Sequence, residues 1–483
     1  MTEFVYYLAA EADPFLKVGG LGDVAGTLPG EINLAALDAG IDLRVEVILP
    51  FHPAVNHPAN LTKLGTFFTR TPTGPEEVTV YQAESRQARY FLLQSETLSS
   101  TASAYSSDDI QDGRKYAFYS LAALELPKFL KQPARIIHAN DWHTALALHQ
   151  NRSLPGSRPK GVLSIHNLGY MGGGSSPALS EFGIKPVQTP KLPDWACHLP
   201  LPMGLAAADL IIPVSPGYAQ EILTPEFGYG LEDFLASRQS DITGIVNGID
   251  TSVWDPAADP FINTKYSIST LSRRAKNKSA LQAALGLPVA AEVPLLAAIS
   301  RLDQQKGMDI LFEALPLLPP DLPWQCVLLG TGNPDLEAEA LLLQIRFPGK
   351  FKPLLAFDGS LAHQIYSAAD IFLMPSRYEP CGLSQLISQR YGVLPVARAT
   401  GGLKDTILPG GAKTGTGYLF TNLDASTLAS TILQAVTDYS QPTLWQGAQR
   451  KAMSQEVSWQ ASARKYLEAY LHLFGNIKSL EAA

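Results

Sequence analysis

The chain has 483 residues, with 37 Lys and Arg against 45 Asp and Glu, so its formal net charge is −8. This length predicts two or three domains, and 46% hydrophobic against 17% charged residues excludes a largely disordered chain. The acidic balance argues against a nucleic-acid-binding protein, which needs a basic surface to displace counterions from phosphates.

Short apolar runs alternate with helical patterns through the first half of the chain. The predicted strands lie at 4–10, 44–50, 135–139, 161–166, 209–214 and 243–247. Helices are predicted at 22–39 and 114–130, and this alternation favours a parallel sheet with crossover helices. The stretch 61–98 has a different pattern, typical of a meander appended to that sheet.

A second alternating series begins near residue 293. Its predicted strands lie at 295–300, 326–329, 353–357, 371–375 and 394–398. Between the two series, the segment 248–275 is rich in Asp, Pro, Asn and Ser, which predicts a hinge. The long loops 99–113 and 171–200 are candidates for lids or binding loops.

The C-terminal part of the chain predicts a helix. Ser458 is a candidate N-cap, and apolar residues follow at helical spacing: Trp459, Ala463, Tyr466, Leu467, Tyr470 and Phe474. We expect domains at 1–250 and 251–457, with the helix of 458–483 crossing back to the first domain. The predicted fold class is α/β, as two doubly wound, Rossmann-like domains that face each other across a cleft.

The cellular compartment is predicted from what the sequence lacks. We find no apolar run of the 18 or so residues that a membrane-spanning helix requires, and no signal-peptide pattern. Cys197, Cys326 and Cys381 are odd in number and far apart, which argues against a disulfide framework. We therefore expect a cytoplasmic protein with reduced cysteines and no membrane partner.

The first candidate site is the segment 17–24, Lys-Val-Gly-Gly-Leu-Gly-Asp-Val, between the first strand and the first helix. Glycines let the backbone approach an anion, the helix N-terminus is partially positive, and Lys17 adds a full charge. A tight turn with a surface lysine explains this segment alone equally well.

Two further candidates lie at strand ends of the second domain. Arg301 and Lys306 suit a diphosphate, which Arg can bind in a bidentate manner, although a solvated charge pair is the alternative. Glu379 can accept hydrogen bonds from sugar hydroxyls or stabilise positive charge at an anomeric carbon, or it is simply a charge at a helix N-terminus. Cys381 beside it is either a reactive or an inert buried thiol.

Polar residues also follow predicted strands of the first domain. A lone histidine is more often a core residue, but Asp141 and His166 both stand at strand carboxyl ends that face the presumed cleft. The segment 400–403, Thr-Gly-Gly-Leu, is another anion-type turn. We find no Asp-x-Asp pair and no Cys/His cluster at zinc spacing. We therefore expect cationic side chains and helix dipoles to meet the phosphate charge, with no metal or other cofactor.

Together these segments resemble the bacterial glycogen synthase and plant starch synthase family, retaining glucosyltransferases of the two-domain GT-B fold. The resemblance covers nearly the whole chain in order. It is carried by the segments 17–24, 141–143, 166–170, 214–222, 247–250, 300–307, 375–386 and 400–406. A broader group of retaining glycosyltransferases has a second glutamate eight residues after the first, where this chain has Ile387, as the synthases do.

The resemblance implies transfer of glucose from ADP-glucose, with UDP-glucose the less favoured donor, to the non-reducing end of an α-1,4-glucan primer. It implies that Arg301 and Lys306 hold the diphosphate and that Glu379 binds hydroxyls of the donor glucose. It places Asp141 and His166 against that glucose. It also implies a set of substrate-binding residues: Lys17, Gly19, Gly20, Asp23, Asn167, Asn247, Phe357, Cys381, Gly382, Leu383, Thr400, Gly401 and Gly402.

The chain departs from the family pattern at 171–174, Met-Gly-Gly-Gly, and at 198–204, both in the acceptor-side domain. Near the nucleotide base the family has Gly-Tyr, whereas this chain has Ala356-Phe357. A Phe ring can stack on adenine but lacks the tyrosine hydroxyl. Two alternatives therefore stay open: a related transferase making a small oligosaccharide or maltosyl phosphate, and a catalytically silent glucan-binding paralogue. The intact basic residues and Glu379 argue against the silent paralogue.

Overall fold

The computed structural model describes residues 2–153, 156 and 158–475. The chain divides into two compact units: unit 1 comprises Met1–Asn247 with Trp459–Ala483, and unit 2 comprises Gly248–Ser458. The C-terminal segment thus belongs to the same unit as the N-terminal half of the chain.

Unit 1 alternates strands and helices along the chain. Its strands are β1 (Glu3–Leu8), β2 (Leu43–Pro50), β3 (Thr62–Thr71), β4 (Gly74–Ser85), β5 (Ala88–Gln94), β6 (Ala134–Asn140), β7 (Lys160–Ile165) and β8 (Leu210–Pro213). Its helices up to residue 247 are α1 (Gly20–Asp38), α2 (Asp109–Leu130), α3 (Asp141–Arg152), α4 (Ser176–Glu181), α5 (Pro200–Ala207), α6 (Pro216–Glu221) and α7 (Glu232–Ala236). Short 3-10 turns lie at Gly173–Ser175, Asp194–Ala196 and Gln239–Asp241. The predicted long loop 171–200 is therefore interrupted by two such turns and by α4.

The described strands of unit 1 form a sheet of order β3-β4-β5-β2-β1-β6-β7-β8. The pairs from β5 across to β8 are parallel, and the β3-β4 and β4-β5 pairs are antiparallel. The predicted parallel sheet and its appended meander are thus confirmed. In the middle of the sheet, Val5 and Tyr7 of β1 pair with Val45 and Val47 of β2, and all four side chains are fully buried.

The strand predicted at 243–247 is wrong. Thr243 and Ile245 donate backbone hydrogen bonds to Ile211 and Pro213 of β8, but only an isolated bridge forms, between Ile211 and Ile242. A parallel ladder here would next need an N–H from residue 213, and proline has none. The segment therefore runs beside the sheet edge without completing a strand.

Unit 2 repeats the alternation. Its strands are β9 (Leu295–Ile299), β10 (Gln325–Leu329), β11 (Phe351–Leu354), β12 (Ile371–Met374), β13 (Leu394–Arg398) and β14 (Tyr418–Phe420). Its helices are α8 (Arg274–Ala284), α9 (Met308–Ala314), α10 (Pro334–Arg346), α11 (Gly359–Ala368), α12 (Ser384–Arg390), α13 (Gly401–Thr406), α14 (Gly411–Thr414), α15 (Ala425–Tyr439) and α16 (Pro442–Met453), with 3-10 turns at Ile268–Arg273 and Leu315–Leu317.

The described strands of unit 2 form a parallel sheet of order β11-β10-β9-β12-β13-β14. Successive residues of β9 face opposite cores: Leu296 packs in one with Leu311, and Leu295 packs in the other with Tyr366. Burial on both faces explains why these strands are continuous apolar runs. The predicted α/β class, with a Rossmann-like sheet in each unit, is confirmed. The three-residue β14 was not predicted from the sequence.

The last helix, α17 (Trp459–Leu473), packs on α1 within unit 1. Its apolar stripe, including Trp459, Tyr466 and Tyr470, is buried in the core that contains β1. The Tyr470 hydroxyl lies 2.6 Å from Nδ1 of the buried His138. The predicted side-chain N-cap is wrong, because the Ser458 hydroxyl is buried with no hydrogen-bond partner among the described residues.

We predict that Tyr470→Ala lowers the free energy of unfolding of unit 1 by roughly 3–5 kcal/mol, since it removes a fully buried aromatic ring. Urea denaturation followed by circular dichroism measures this change. Lys465→Ala, at an exposed position of the same helix, is the matched control and should stay within about 0.5 kcal/mol of the original chain. Equal midpoints for the two variants would show that α17 contributes little to the core.

Candidate active site

The predicted site residues of unit 1 stand at one edge of its sheet. The loop 9–19 follows β1, Asp141 directly follows β6, and His166 directly follows β7. These three strands are parallel neighbours, so their carboxyl ends lie side by side. Open α/β sheets bind ligands at this edge.

The glycine-rich loop is held by a carboxylate of the chain itself. Glu11 is buried, and it accepts hydrogen bonds from the backbone N–H of Val18 and, at 3.0 and 3.1 Å, from that of Gly19. The Gly19 amide predicted to meet a phosphate is therefore engaged by Glu11. Gly20 begins α1, and no described atom lies within 4 Å of a methyl group placed on it. The open space of this loop is thus at Gly20.

Lys17 and Asp23 form an ion pair across the same loop. The Lys17 Nζ lies 2.6 Å from Oδ1 of Asp23, and both side chains are partly exposed. Burial raises the pKa of Asp23, and the Lys17 ammonium opposes this shift. Lys17 is therefore held at the loop by a partner that an incoming phosphate would compete with.

Sequence reasoning missed Glu11 and its third partner, Tyr105. The Tyr105 hydroxyl donates to Oε1 of Glu11 at 3.0 Å, although 94 residues separate the two. The available sequence signal was an acidic residue flanked by alanines directly after β1. A buried carboxylate requires partners, and these three donors supply them.

The loop that carries Tyr105 is fixed by a buried lysine. Lys115 pairs with Asp112 at 2.8 Å and donates to Thr101 Oγ1 and to the Ala104 carbonyl, each at 2.7 Å. Burial lowers the pKa of Lys115, and the Asp112 carboxylate opposes this shift. The loop 99–108, part of a segment predicted as a lid or binding loop, is therefore anchored at several points.

Asp141, His166 and Asn167 lie together at the carboxyl edge of the unit 1 sheet. Oδ1 of Asp141 accepts from the backbone N–H of His166 at 2.7 Å and of Asn167 at 3.3 Å. The Asp141 side chain is buried. Its backbone has φ 53°, in the left-handed region, which is uncommon for a residue other than glycine. Burial raises its pKa to about 7, and the two amides oppose that shift.

The His166 ring is held by Asn140. Its Nε2 lies 3.0 Å from Asn140 Oδ1, while Asn140 Nδ2 donates to the Leu8 carbonyl at 2.9 Å. Because Nδ2 is a donor there, Oδ1 is an acceptor, and His166 Nε2 carries the proton. Burial lowers the pKa of His166 to about 4, so the ring is neutral at pH 7 and Nδ1 is an acceptor.

Asn247 is the last residue of unit 1 before the chain enters unit 2. Its side chain is buried, and Oδ1 has no hydrogen-bond partner among the described residues. A buried amide oxygen without a partner is costly, and a ligand hydroxyl would satisfy it. This observation fits the predicted substrate contact.

In unit 2, Lys306 and Glu379 meet at the carboxyl edge of the sheet. They follow the neighbouring strands β9 and β12. Lys306 Nζ lies 2.9 and 2.7 Å from the two carboxylate oxygens of Glu379, and Ser376 Oγ donates to Oε2 at 3.0 Å. The Glu379 side chain is only 6% exposed and that of Lys306 is 21% exposed. This is a largely buried ion pair beside open solvent.

Arg301 stands at the end of β9 with its side chain 65% exposed. Its guanidinium pairs with Asp303 at 3.0 Å and donates to Gln305 Oε1 at 3.3 Å. These exposed interactions contribute little to stability and can be exchanged for a ligand anion.

The segment 400–403 packs against the backbone of Glu379. The Gly402 N–H donates to the Glu379 carbonyl at 3.1 Å, and the Leu403 N–H donates to the Thr400 carbonyl at 3.1 Å. A methyl group on Gly401, whose φ is +44°, would lie 2.0 Å from the Glu379 carbonyl oxygen. Two of the amides predicted to face phosphate are thus used inside the protein. These glycines position the backbone of Glu379.

Cys381, Gly382 and Leu383 lead from Glu379 into α12. Cys381 is buried, and Gln385 Nε2 donates to the carbonyls of Cys381 and Gly382, each at 3.0 Å. Phe357 follows β11 and is 95% exposed. An aromatic ring with both faces in solvent is available to stack on a base.

The described residues contain no helix long and apolar enough to span a bilayer. Nor do the residues placed by the structure gather three or more His, Cys, Asp or Glu side chains in a group that could hold a metal ion.

Comparisons with known proteins give one family match within each of the two units. Residues 4–237 match the family described as the starch synthase catalytic domain, and residues 293–438 match the glycosyl transferases group 1. A glycogen synthase of Clostridium perfringens is 38% identical, over 97% of this chain and 98% of that protein. Glycogen synthase 2 of Nitrosococcus oceani is 37% identical, over 97% of each.

Solved structures give the same picture. The catalytic domain of starch synthase IV from Arabidopsis thaliana, bound to ADP and acarbose, has a TM-score of 0.87 and 30% identity, over 98% of this chain and 99% of that one. A sucrose-phosphate synthase from Thermosynechococcus elongatus has a TM-score of 0.64 at 19% identity, over 98% of this chain and 99% of that one, which shows the fold alone.

We predict that Asp141→Asn gains stability relative to the original chain as pH rises. Between 3.8, its ordinary pKa, and about 7, the folded protein keeps a proton on Asp141 that the unfolded chain has lost. The stability contributed by this proton is complete at low pH and is lost as pH rises through that window. Asparagine cannot ionise, so the difference in unfolding free energy should grow by up to about 4 kcal/mol.

Urea denaturation of both proteins at a series of pH values, from about 4 to about 8, measures this difference. A difference independent of pH would contradict the raised pKa of Asp141.

Proposed function

The chain belongs to the family of bacterial glycogen synthases and plant starch synthases, glycosyltransferases of the GT-B fold, and we propose that it extends an α-1,4-glucan with glucose from ADP-glucose. The observation that carries the proposal is the buried Lys306–Glu379 pair beside the exposed Arg301, at the ligand-binding edge of unit 2. Two cations suit a diphosphate, and one carboxylate suits the hydroxyls of the attached sugar. We assign the nucleotide and most of the diphosphate contacts to unit 2, and the glucan to unit 1.

Lys306 can serve the carboxylate and the diphosphate together. An ammonium group has three N–H donors, and Glu379 accepts two of them. The third is available to a phosphate oxygen. Arg301 supplies a planar fork of donors once it leaves Asp303.

The chemistry follows from where charge develops. As the bond between the anomeric carbon and the diphosphate breaks, negative charge grows on the leaving group and positive charge grows on the sugar. Arg301 and Lys306 stabilise the former, and the Glu379 carboxylate stabilises the latter. The acceptor hydroxyl attacks on the face that the leaving group departs from, and a phosphate oxygen takes its proton. The anomeric configuration is therefore retained.

In unit 1 we assign Asp141 and His166 to the donor glucose. His166 is neutral, so its Nδ1 can accept a hydrogen bond from a sugar hydroxyl without adding positive charge beside the anomeric carbon. Lys17 and the open space at Gly20 suit a phosphate oxygen. Asn247 supplies a further acceptor for a hydroxyl.

We propose adenine as the base and the cytoplasm as the compartment. The fully exposed ring of Phe357 offers a stacking surface, and the starch synthase structure similar to this chain holds ADP. Cys197, Cys326 and Cys381 are all described and form no disulfide, which suits a reducing compartment.

The test is incorporation of label from radioactive ADP-glucose into glycogen, recovered by ethanol precipitation. We expect label in the polymer, and excess unlabelled ADP-glucose should suppress it more than UDP-glucose does. Label that stays in the soluble fraction would favour a small saccharide product. No turnover at all, with ADP still bound, would favour a silent binding protein.

We predict that Glu379→Gln lowers kcat by at least about a hundredfold, because it removes the negative charge that faces the anomeric carbon. Lys306→Ala should raise the KM for ADP-glucose and also lower kcat, since it removes a diphosphate cation and leaves the carboxylate without its partner. Initial rates with glycogen measure both constants. Glu313→Gln, at an exposed glutamate of α9, is the control. A Glu379→Gln enzyme as active as this control would remove Glu379 from the mechanism.

A further inference from the structure

Three large aromatic side chains are exposed on neighbouring loops of unit 1. Tyr170 is 59% exposed, Trp195 is 47% exposed and Tyr229 is 42% exposed. They lie on the loop after β7, on the 3-10 turn Asp194–Ala196 and on the segment between α6 and α7. We call these three residues the aromatic cluster. Aromatic side chains are costly to leave in water, so a group of them indicates a binding surface.

Two glycines bring the members of the cluster together. A methyl group on Gly169 would lie 3.1 Å from Cζ and 3.2 Å from the hydroxyl oxygen of Tyr229, so that ring rests on the Gly169 backbone. A methyl group on Gly230 would lie 3.1 Å from Cζ2 of Trp195. Tyr229 and Gly230 are consecutive, and Tyr170 directly follows Gly169. Trp195 and Tyr229 therefore lie together, and Tyr170 directly follows the glycine on which the Tyr229 ring rests.

Tyr229 is held there in a strained conformation. Its φ is 52°, in the left-handed region that bulky residues rarely occupy. The turn is fixed on both sides, because Gly228 N–H donates to Thr224 at 2.7 Å and Gly230 N–H donates to Glu232 at 2.9 Å. Backbone strain that the surroundings maintain is typical of functional positions. The surrounding hydrogen bonds thus hold the partly exposed Tyr229 side chain in place.

The cluster continues from the candidate site of unit 1. The Gly169 N–H donates to Asn167 Oδ1 at 3.1 Å, and the Tyr170 N–H donates to the Asn167 carbonyl at 3.3 Å. His166, assigned above to the donor glucose, directly precedes Asn167 in the chain. A ligand on the cluster would therefore lie next to the residues assigned to the donor glucose.

The charge of the segment that carries Tyr229 favours a neutral ligand such as a sugar. The segment 221–236, which carries Tyr229, contains four acidic residues and no lysine or arginine. An anionic ligand is disfavoured there, whereas carboxylates accept hydrogen bonds from hydroxyls. Aromatic faces match the apolar C–H face of a pyranose ring, and tyrosine and tryptophan add polar edges.

We propose that the aromatic cluster binds glucose units of the glucan acceptor, beyond the residue that receives the new glucose. This proposal rests on the proposed function and adds to it the residues that hold the acceptor. None of the three side chains reacts, so they act on acceptor affinity.

The test uses Trp195→Ala and Tyr229→Ala of the full chain, with maltoheptaose and glycogen as acceptors. We expect each variant to raise the acceptor KM by about tenfold, as the loss of one aromatic contact allows, with the KM for ADP-glucose unchanged. Phe68→Ala, at a similarly exposed aromatic of β3, is the matched control.

Electrophoresis through glycogen-containing gels, without nucleotide, measures acceptor binding separately from turnover. Reduced retardation of Trp195→Ala and Tyr229→Ala, but not of Phe68→Ala, supports the proposal even if the chain has no synthase activity. An active chain whose cluster variants match Phe68→Ala in acceptor KM and in retardation overturns the proposal and leaves the proposed function standing. A raised KM for ADP-glucose with unchanged acceptor KM overturns it as well, because it would place the cluster at the donor.

Discussion

The ion pair between Lys306 and Glu379 is the constraint on which the site of unit 2 depends. A carboxylate as buried as that of Glu379 costs several kcal/mol to desolvate, so it requires a cation and hydrogen-bond donors around it. Lys306 and Ser376 provide them. The pair therefore fixes how the ends of β9 and β12 are arranged.

The backbone around Glu379 is also held in place. The Gly401-Gly402 backbone lies so close to Glu379 and Cys381 that no side chain fits between them. The Gly402 N–H also holds the Glu379 carbonyl. The carboxylate thus stands on a rigid support at the ligand-binding edge, which is what a group that must face a developing charge requires.

Two buried carboxylates of unit 1 likewise hold the loops that follow its strands. Glu11 gathers the amides of the glycine-rich loop, and Asp141 gathers those that follow β7. In the glycine-rich loop, a backbone donor that the sequence pattern assigns to a ligand is used first by a side chain of the protein. The donor groups left for a ligand are cationic side chains and a few open positions, of which Gly20 is one.

Much of this arrangement could be predicted from the sequence. Strands buried on both faces are continuous apolar runs, and parallel strands place the residues that follow them at one edge, so the positions of Asp141, His166, Arg301 and Glu379 could be inferred. The contacts of Glu11 with Tyr105, of Lys115 with its loop and of Gly402 with Glu379 could not. They join residues far apart in the chain and leave no periodic pattern. The three-residue β14 is too short to show one.

The most direct test of the account is a crystal structure of the chain with ADP and glucose bound. We expect diphosphate oxygens within hydrogen-bond distance of Arg301 and of Lys306 Nζ, with a glucose hydroxyl hydrogen-bonded to the Glu379 carboxylate. ADP bound elsewhere, with Lys306 and Glu379 untouched by either ligand, would contradict it.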